Sequence, residues 1–567
     1  MGKRIRTAWW ITTIVSVLVA AHAPGAMADD GGRRHDHNEP PVPGGTPGGG
    51  TPGGGTTGGG STAQLFAWND LGMHCADSDF SVFTLLPPFN NLNAQLVVGG
   101  VLVNSGVTLT YEATADPMAS VNSFSIGKTN FWTYDLPLFG VSLAPDTGLT
   151  GNKTASYTPA QMSWNGTYSW FEATGIPITP LDDSYRVNSY PLVKVRAFDS
   201  TGRELANAST VLPISSEIQC DGCHGANGNP LAMPSTGWRN TGNAQTDWRF
   251  NVLQLHDDRN LANATYTALL ASKGYNTNGL AAAALGGRPV LCDTCHNSNA
   301  LATWGIGGVA GVSSMTSAMH NRHANVTLPG STQTLASMTT RDSCYNCHPG
   351  RTTQCLRGAM GNAVNALGQH TMECQSCHGN LSQVANASRN AWFQEPNCQG
   401  CHHDGIRETN FLTATASSDT RFATNANVPA TGLSLYRFSK GHGNIQCEAC
   451  HNSTHAEFPS SGNDNLRAIA AQGYAAAIRE CSVCHAAVPN TTNGGPHGIH
   501  PVGQSWIGSH QGAPKTDCQY CHGTTSAGSP LAVVKTARSF TVEGGTKNFA
   551  AGDRVTCWSC HNGPTPG

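Results

Sequence analysis

The chain has 567 residues, of which 39% are hydrophobic and only 12% are charged, about half the charged share of an average globular protein. A chain of this length is too long for one hydrophobic core, so we expect about two to four structural units. Its 32 basic and 35 acidic residues give a formal net charge of −3, which argues against nucleic acid as a partner. The 20 cysteines indicate that thiol chemistry is central to the protein.

The N-terminus has the pattern of an export signal. Three basic residues within the first six positions precede an apolar stretch over residues 8–21, and Ala26-Met27-Ala28 supplies the small residues of a cleavage site. The apolar stretch is short for a membrane-spanning helix, and no later segment resembles one. We predict a signal peptide over residues 1–28 and an exported protein of the periplasm, the cell surface or the extracellular space, with no transmembrane segment.

Two regions of different composition follow the signal. Residues 29–62 repeat glycine, proline and threonine and hold no run that could bury a core, which predicts a flexible linker. From 63 to 213, short runs rich in Val, Leu, Thr, Tyr and Phe alternate with Gly, Asn, Asp and Pro turns, and residues 190–198 alternate apolar and polar side chains. This pattern predicts an N-terminal all-β, sandwich-like domain over residues 63–213.

One repeated motif dominates the remaining region, residues 214–567. Cys-x-x-Cys-His occurs nine times and uses 18 of the 20 cysteines, so that only Cys75 and Cys355 stand outside it. The nine copies are Cys220/Cys223/His224, Cys292/Cys295/His296, Cys344/Cys347/His348, Cys374/Cys377/His378, Cys398/Cys401/His402, Cys447/Cys450/His451, Cys481/Cys484/His485, Cys518/Cys521/His522 and Cys557/Cys560/His561.

The spacing of this motif suits the covalent attachment of haem. Residues i, i+3 and i+4 lie together on one side of a helical turn. Two thiols so placed can form thioethers with the two vinyl groups of one porphyrin, and the adjacent imidazole can then bind the iron. Zinc or a disulfide scaffold would not require a histidine after every second cysteine. We therefore predict nine covalent haem c groups, with the motif histidines as proximal iron ligands, in a domain of short helices and loops wrapped around them.

Histidines that could bind the opposite side of each iron are about as numerous as the motifs. The nine distal candidates are His256, His320, His323, His370, His442, His455, His497, His500 and His510. A tenth, His403, directly follows His402 and should project away from that haem. Methionine is the alternative ligand and would raise the reduction potential; the methionines of this region are Met233, Met315, Met319, Met338, Met360 and Met372.

The positions of the distal candidates bear on what the irons can do. His370, His442 and His455 lie beside motifs, and we expect them to bind neighbouring haems rather than the nearest one in sequence. An iron with a histidine on both sides has no open position for a substrate, so it can pass electrons but not readily perform a reaction. Closely packed, mostly bis-histidine haems would then form a chain for electron transfer.

The two cysteines outside the motifs allow two interpretations. In an oxidising compartment Cys75 and Cys355 could form a disulfide that ties the β-domain to the haem domain. Alternatively, each is a buried thiol. A less favoured idea is that His74, next to Cys75, approaches the haem of His348 as a ligand.

Three segments resemble parts of exported multihaem c-type cytochromes from bacteria that use extracellular electron acceptors. They are Trp68-Asn-Asp-Leu-Gly-Met-His-Cys75, the stretch from Cys344-Tyr-Asn-Cys-His-Pro-Gly350 through Met360, and Cys447-Glu-Ala-Cys-His-Asn-Ser-Thr-His-Ala-Glu-Phe-Pro459. The resemblance implies electron transfer in the periplasm or at the outer surface. It does not imply a defined substrate or a role for the β-domain.

The sequence leaves three functions open. The first is electron transfer through the haem chain, with other cytochromes and a mineral or an outer-membrane conduit as partners. The second is a multihaem reductase with one open iron, acting on a small nitrogen or sulfur oxyanion; the chain has no Cys-x-x-Cys-Lys variant of the kind used by nitrite reductases. The third is a structural module in which the β-domain drives self-assembly.

Overall fold

A computed structural model of the protein describes residues 63–561, except 71, 299–300, 302–307, 354, 357, 363, 390–394, 397–435, 454, 456–465, 493, 524 and 529–531. The predicted signal peptide and linker, the motif Cys398/Cys401/His402 and His403 therefore lie outside the described residues. No helix in the part that is described has both the length and the apolar character needed to cross a membrane.

Two antiparallel sheets contain most of the strand residues that the structure describes before residue 216. The first sheet contains, in spatial order, β1 (Ala63–Asn69), β4 (Phe89–Val98), β9 (Trp170–Pro177) and β8 (Ser163–Asn165), with β5 (Val101–Val103) beside β4. The second contains, in spatial order, β11 (Glu204–Val211), β10 (Leu192–Asp199), β6 (Val107–Ala113) and β7 (Ala160–Gln161).

The strands follow from alternation of apolar and polar residues. In β10, Val193, Val195 and Ala197 are buried while Lys194 and Arg196 between them are partly exposed, because successive side chains of a strand point to opposite faces of its sheet. Buried residues from both sheets share one hydrophobic core. Among its fully buried members are Leu65, Leu96, Tyr111, Ile176 and Val195.

Two short parallel strand pairs join this region to the residues that follow it. They are β2 (His74–Cys75) with β12 (Ile214–Ser215), and β3 (Phe83–Thr84) with β13 (Val290–Leu291). A second core contains Phe66 and Trp68 of β1 together with Ala449 and Val483 from the later part of the chain. Among the described residues, the chain before and after residue 213 thus belongs to one compact unit.

The helices lie mainly after residue 220 and are mostly short. They are α1 (Phe131–Phe139), α2 (Asp221–His224), α3 (Ala244–Asn260), α4 (Ala264–Ser272), α5 (Leu280–Leu285), α6 (Met315–Ala324), α7 (Asp342–Tyr345), α8 (Ala359–Asn362), α9 (Cys374–His378), α10 (Leu381–Val384), α11 (Cys447–His451), α12 (Leu466–Gln472), α13 (Gln504–Ser509) and α14 (Lys515–His522). Single 3₁₀ turns cover Pro230–Ala232, Cys292–Thr294, Tyr436–Phe438, His442–Asn444, Cys481–Val483, Pro496–Gly498 and Cys557–Ser559.

Three elements lie outside the patterns seen in the sequence. Helix α1 lies inside the region expected to be all-β, and it ends at Gly140, whose positive φ of 71° suits a residue without a side chain. Helix α3 has 17 residues and packs its Trp248 against Phe83 of β3. Near the C-terminus, β14 (Arg538–Val542) and β15 (Gly545–Phe549) form an antiparallel hairpin.

Candidate functional site: paired histidines around one cavity

Each of the eight described Cys-x-x-Cys-His motifs forms one helical turn. The amide of the motif histidine donates to the carbonyl of the first cysteine, for example from His224 to Cys220 at 2.8 Å and from His485 to Cys481 at 2.9 Å. Helices α9, α11 and α14 end at their motif histidines. The turn therefore places both thiols and the imidazole of a motif on neighbouring positions of one side.

Residues inside or next to some motifs stabilise these turns locally. At α9, Glu373 and Ser376 form a reciprocal capping box, in which each side chain accepts a hydrogen bond from the other residue's backbone amide. Thr556 and Ser559 do the same for the turn that begins at Cys557. The residues between the two cysteines thus help to set the turn that the cysteines need.

Every described motif histidine faces a second histidine that belongs to no motif. The ring centres of the two members of a pair lie 5.8 to 6.4 Å apart. The eight pairs are His224–His323, His296–His256, His348–His320, His378–His455, His485–His442, His451–His497, His522–His500 and His561–His510. At each described motif the facing residue is a histidine and not a methionine.

This separation is what two imidazoles on opposite sides of one metal ion require. A metal–imidazole bond is about 2 Å long and the ring centre lies about 1 Å beyond the nitrogen, so two trans rings have centres about 6 Å apart. Aromatic rings in direct contact span a range of about 4.5 to 7 Å that includes this value. The distinguishing observation is therefore the one-to-one pairing of motif and non-motif histidines, which ordinary ring packing would not produce.

Hydrogen bonds at Nδ1 set the tautomer of several of these histidines. The Nδ1 of His320 donates to the carbonyl oxygen of Thr316 at 2.7 Å. The Nδ1 of His296 donates to the carbonyl oxygen of Ser313 at 2.9 Å. Because a carbonyl oxygen only accepts, the proton lies on Nδ1 and Nε2 keeps its lone pair for a metal. Four other histidines donate from Nδ1 to a backbone carbonyl in the same way: His323 to Met319, His500 to Pro501, His510 to Ile507 and His522 to Val555.

Burial keeps several paired imidazoles neutral. Loss of solvent, together with a second imidazole nearby, lowers the pKa of His224 and of His348 to about 4. The same causes lower the pKa of His378 and of His451 to about 3. At neutral pH these rings are therefore uncharged and able to act as metal ligands.

All eight described motifs and their eight partner histidines line a single cavity of about 2710 Å³. A pocket for one small molecule typically measures about 300 to 1,000 Å³. The cavity is therefore large enough for several bulky groups side by side. Its wall also contains apolar side chains such as Leu253, Leu335 and Phe549.

The motif thiols are not of the reactive, low-pKa kind in most motifs. Burial raises the pKa of Cys292 and of Cys484 to about 12, and that of Cys347 to about 11. The exception is Cys344, whose pKa is lowered by its hydrogen bond to Cys374, a cysteine of the next motif. That contact places two successive motifs side by side.

One sequence-predicted distal ligand, His370, does not face a described motif histidine. His370 is exposed at the end of a turn bridged by Val364, while His402 and His403 lie outside the described residues. Among the residues that the structure describes, no three potential ligands gather into a protein-only metal cluster. Each described site offers two imidazoles and two thiols.

His74 has a different environment from the one considered for it. Its Nε2 is 3.1 Å from the carbonyl oxygen of Pro87, its ring packs on Phe89 with ring centres 4.4 Å apart, and it is buried. His348, the motif histidine it was considered to approach, faces His320 instead. The idea of His74 as a ligand of that haem is therefore wrong in this structure.

Cys75 and Cys355 are near each other. Burial raises the pKa of the Cys75 thiol, and the charge of a nearby Cys355 thiolate would raise it further. The chain just before Cys355 is held against β12, because the hydroxyl groups of Ser215 and Thr353 are 2.8 Å apart and the Glu217 carboxylate accepts from the amide of Thr353 at 2.8 Å. The structure thus brings the two cysteines outside the motifs to one place.

Sequence reasoning did not find the residues that orient the histidines. Tyr266, whose hydroxyl is 3.1 Å from His256 Nδ1, and Trp506, which stacks on His500 and His510, come from segments with no motif. The spacing of His320 and His323, three residues apart, is a usable sequence signal, because residues at this spacing share one side of a helix. Comparison of the chain with protein-family models, curated proteins and solved structures finds no match.

Proposed function

We propose that this chain is an electron-transfer protein that holds haem c at its Cys-x-x-Cys-His motifs, with two histidine ligands at each of the eight described sites. The observation that carries the proposal is the pairing of each motif histidine with one non-motif histidine at the separation expected for a shared metal. The ninth site would be that of His402. Haem bound in this way supplies reversible one-electron chemistry at its iron, with a potential set by its axial ligands and surroundings.

The residues of each site have separate tasks. The two cysteines anchor the group covalently, and the motif histidine, four residues after the first cysteine, approaches it from one side. A second histidine would hold the group from the other side, and an Nδ1 hydrogen bond to a backbone carbonyl fixes the tautomer that leaves Nε2 for the metal at His320, His323, His500 and His510. Because two histidines would hold the iron at each of the eight described sites, no position would be open for a small oxyanion, and these sites favour electron transfer.

Neighbouring sites share short pieces of chain, which supports transfer from one site to the next. Helix α6 supplies His320 to the site of His348 and His323 to the site of His224. The sulfur atoms of Cys344 and Cys374 are near enough to share a hydrogen bond while both are free thiols, so these two successive motifs lie side by side. His497 and His500, three residues apart, belong to the sites of His451 and His522. We infer that the sites form a continuous series within one cavity.

Location and partners belong to the same proposal. The basic and apolar pattern of residues 1–28 supports export to the periplasm or beyond. Redox proteins such as other cytochromes, or an extracellular acceptor such as a mineral, are the partners that fit a protein whose irons are closed to small substrates.

Haem counting on the purified protein tests the proposal. The chain should be produced in a host with haem-attachment machinery and analysed by intact mass and by haem absorbance after denaturation. We expect nine covalent haems, low-spin spectra and no stoichiometric binding of carbon monoxide. Replacing Cys374 and Cys377 with alanine should lower the count by one, while Cys75→Ala, outside the motifs, should leave nine. Absence of covalent haem, or a high-spin majority, would refute it.

A further inference from the structure

One tryptophan stacks on the second histidines of two different sites. Trp506, on helix α13, stacks on His500 with ring centres 3.7 Å apart and an angle of 10° between the planes. It also stacks on His510, with ring centres 4.9 Å apart and an angle of 21°. We call these three rings the Trp506 stack.

The Trp506 stack connects two histidine pairs of different geometry. His500 faces His522 with the two ring planes nearly parallel, at 14°. His510 faces His561 with the planes steeply inclined, at 68°. Since His522 and His561 belong to the last two motifs of the chain, one indole touches a ligand of each.

Each of the two imidazoles is held by a hydrogen bond to a backbone carbonyl and by stacking on the indole. A carbonyl holds the Nδ1 edge of each ring, that of Pro501 for His500 at 2.9 Å and that of Ile507 for His510 at 2.7 Å. An edge contact still permits the ring to turn about that point, whereas a stacked flat surface does not. The Nε1–H of Trp506 is buried without an acceptor among the described residues, so the indole acts on the two imidazoles through its flat ring surface.

We propose that Trp506 is a positioning residue for two haem sites at once, holding the imidazole planes of His500 and His510. This inference rests on the proposed function, because it concerns ligands of bound haem. The angle between two axial imidazole planes determines how the iron d orbitals of π symmetry split, and that splitting shapes the electron paramagnetic resonance (EPR) spectrum of low-spin ferric haem. The plane of each ligand is therefore measurable in the oxidised holoprotein.

The test compares EPR spectra of the oxidised full-length holoprotein and its Trp506 variants. Trp506→Met fills much of the same volume without a flat face, and we expect it to change the signals of two of the nine irons, one from a nearly parallel and one from a steeply inclined pair. Trp506→Phe keeps a flat face and should retain both signals. Trp238→Leu is the control, since Trp238 is a half-buried tryptophan that does not line the cavity.

The haem count separates the possible results. Nine haems in Trp506→Met with an unchanged spectrum would overturn the role of Trp506 and leave the proposed function intact. Absence of covalent haem in the unaltered protein would overturn the proposed function itself. If Trp506→Met does not retain nine haems, Trp506→Phe decides: both signals retained supports the role of the flat ring, and both signals altered with nine haems present overturns it.

Discussion

His320 and His323 lie three residues apart on helix α6, yet they face the histidines of two different motifs, His348 and His224. Residues at this spacing project from one side of a helix. One helix therefore closes two sites, and a change at either position has a defined local effect.

Removal of one of these histidines should open one iron. In His323→Ala we expect the haem count to stay at nine, because the cysteines of the motif still attach the group, while one site becomes high-spin and binds about one carbon monoxide per chain. Spectrophotometric titration with carbon monoxide measures this. Asn321→Ala, an exposed change on the same helix, is the control and should bind none. A His323→Ala protein that remains fully low-spin would show that His323 is not a ligand.

The angles between paired rings predict two spectroscopic classes. Three described pairs are nearly parallel, at 13° to 14°, and they belong to His348, His378 and His522. The other five are inclined by 56° to 90°. EPR of the fully oxidised protein should therefore resolve a rhombic class and a highly anisotropic class in a ratio near three to five, apart from the ninth iron. A single uniform class would contradict the ring geometry.

The core between the two sheets should be sensitive to loss of volume. Leu96 is completely buried there, and Leu96→Ala should lower the free energy of unfolding by about 2 to 5 kcal/mol. Chemical denaturation followed by tryptophan fluorescence measures it. The same substitution at Leu367, which is 82% exposed, should change the free energy of unfolding by less than about 0.5 kcal/mol. Equal effects at the two positions would be incompatible with the packing described.

The buried His74 should make the fold sensitive to acid. Burial lowers its pKa from 6.5 to about 4, so the folded protein resists protonation that the unfolded chain accepts. Above pH 6.5 the neutral His74 does not reduce the stability of the fold. As the pH falls towards 4, the free energy of unfolding should decrease by up to about 3 kcal/mol because of this residue. His74→Gln keeps a donor for the Pro87 carbonyl and cannot be protonated in this range.

Denaturation of both proteins between pH 4 and 8 checks this prediction. The free-energy difference between wild type and His74→Gln should be constant above pH 7 and shift in favour of the variant as the pH falls towards 4. If the two proteins lose stability in parallel over the whole range, another group controls the response to acid.

The local part of the site could be predicted from the sequence, while its assembly could not. The positions of Cys344, Cys347 and His348 on one turn follow from their spacing, because they depend only on nearby backbone hydrogen bonds. That His348 faces His320, and His378 faces His455, depends on packing between distant parts of the chain. No local pattern carries that information.

The fold shows the same division. The alternation in β10 is visible in the sequence because one face of the strand is buried. Helix α1 is rich in aromatic residues and contains a proline, Pro137, so its local preference does not favour a helix. The pairing of β2 with β12 joins residues that are far apart in sequence, and short strands of this kind have no periodicity to recognise.

The shared core of β1 has a consequence for biogenesis. Phe66 and Trp68 emerge early from any export channel that releases the chain N-terminus first, but Ala449 and Val483, which cover them, belong to much later segments. Until those segments arrive, these aromatic rings remain open to proteases and to other unfinished chains. A chain released N-terminus first would therefore need its first strand protected until the segment around Val483 has followed.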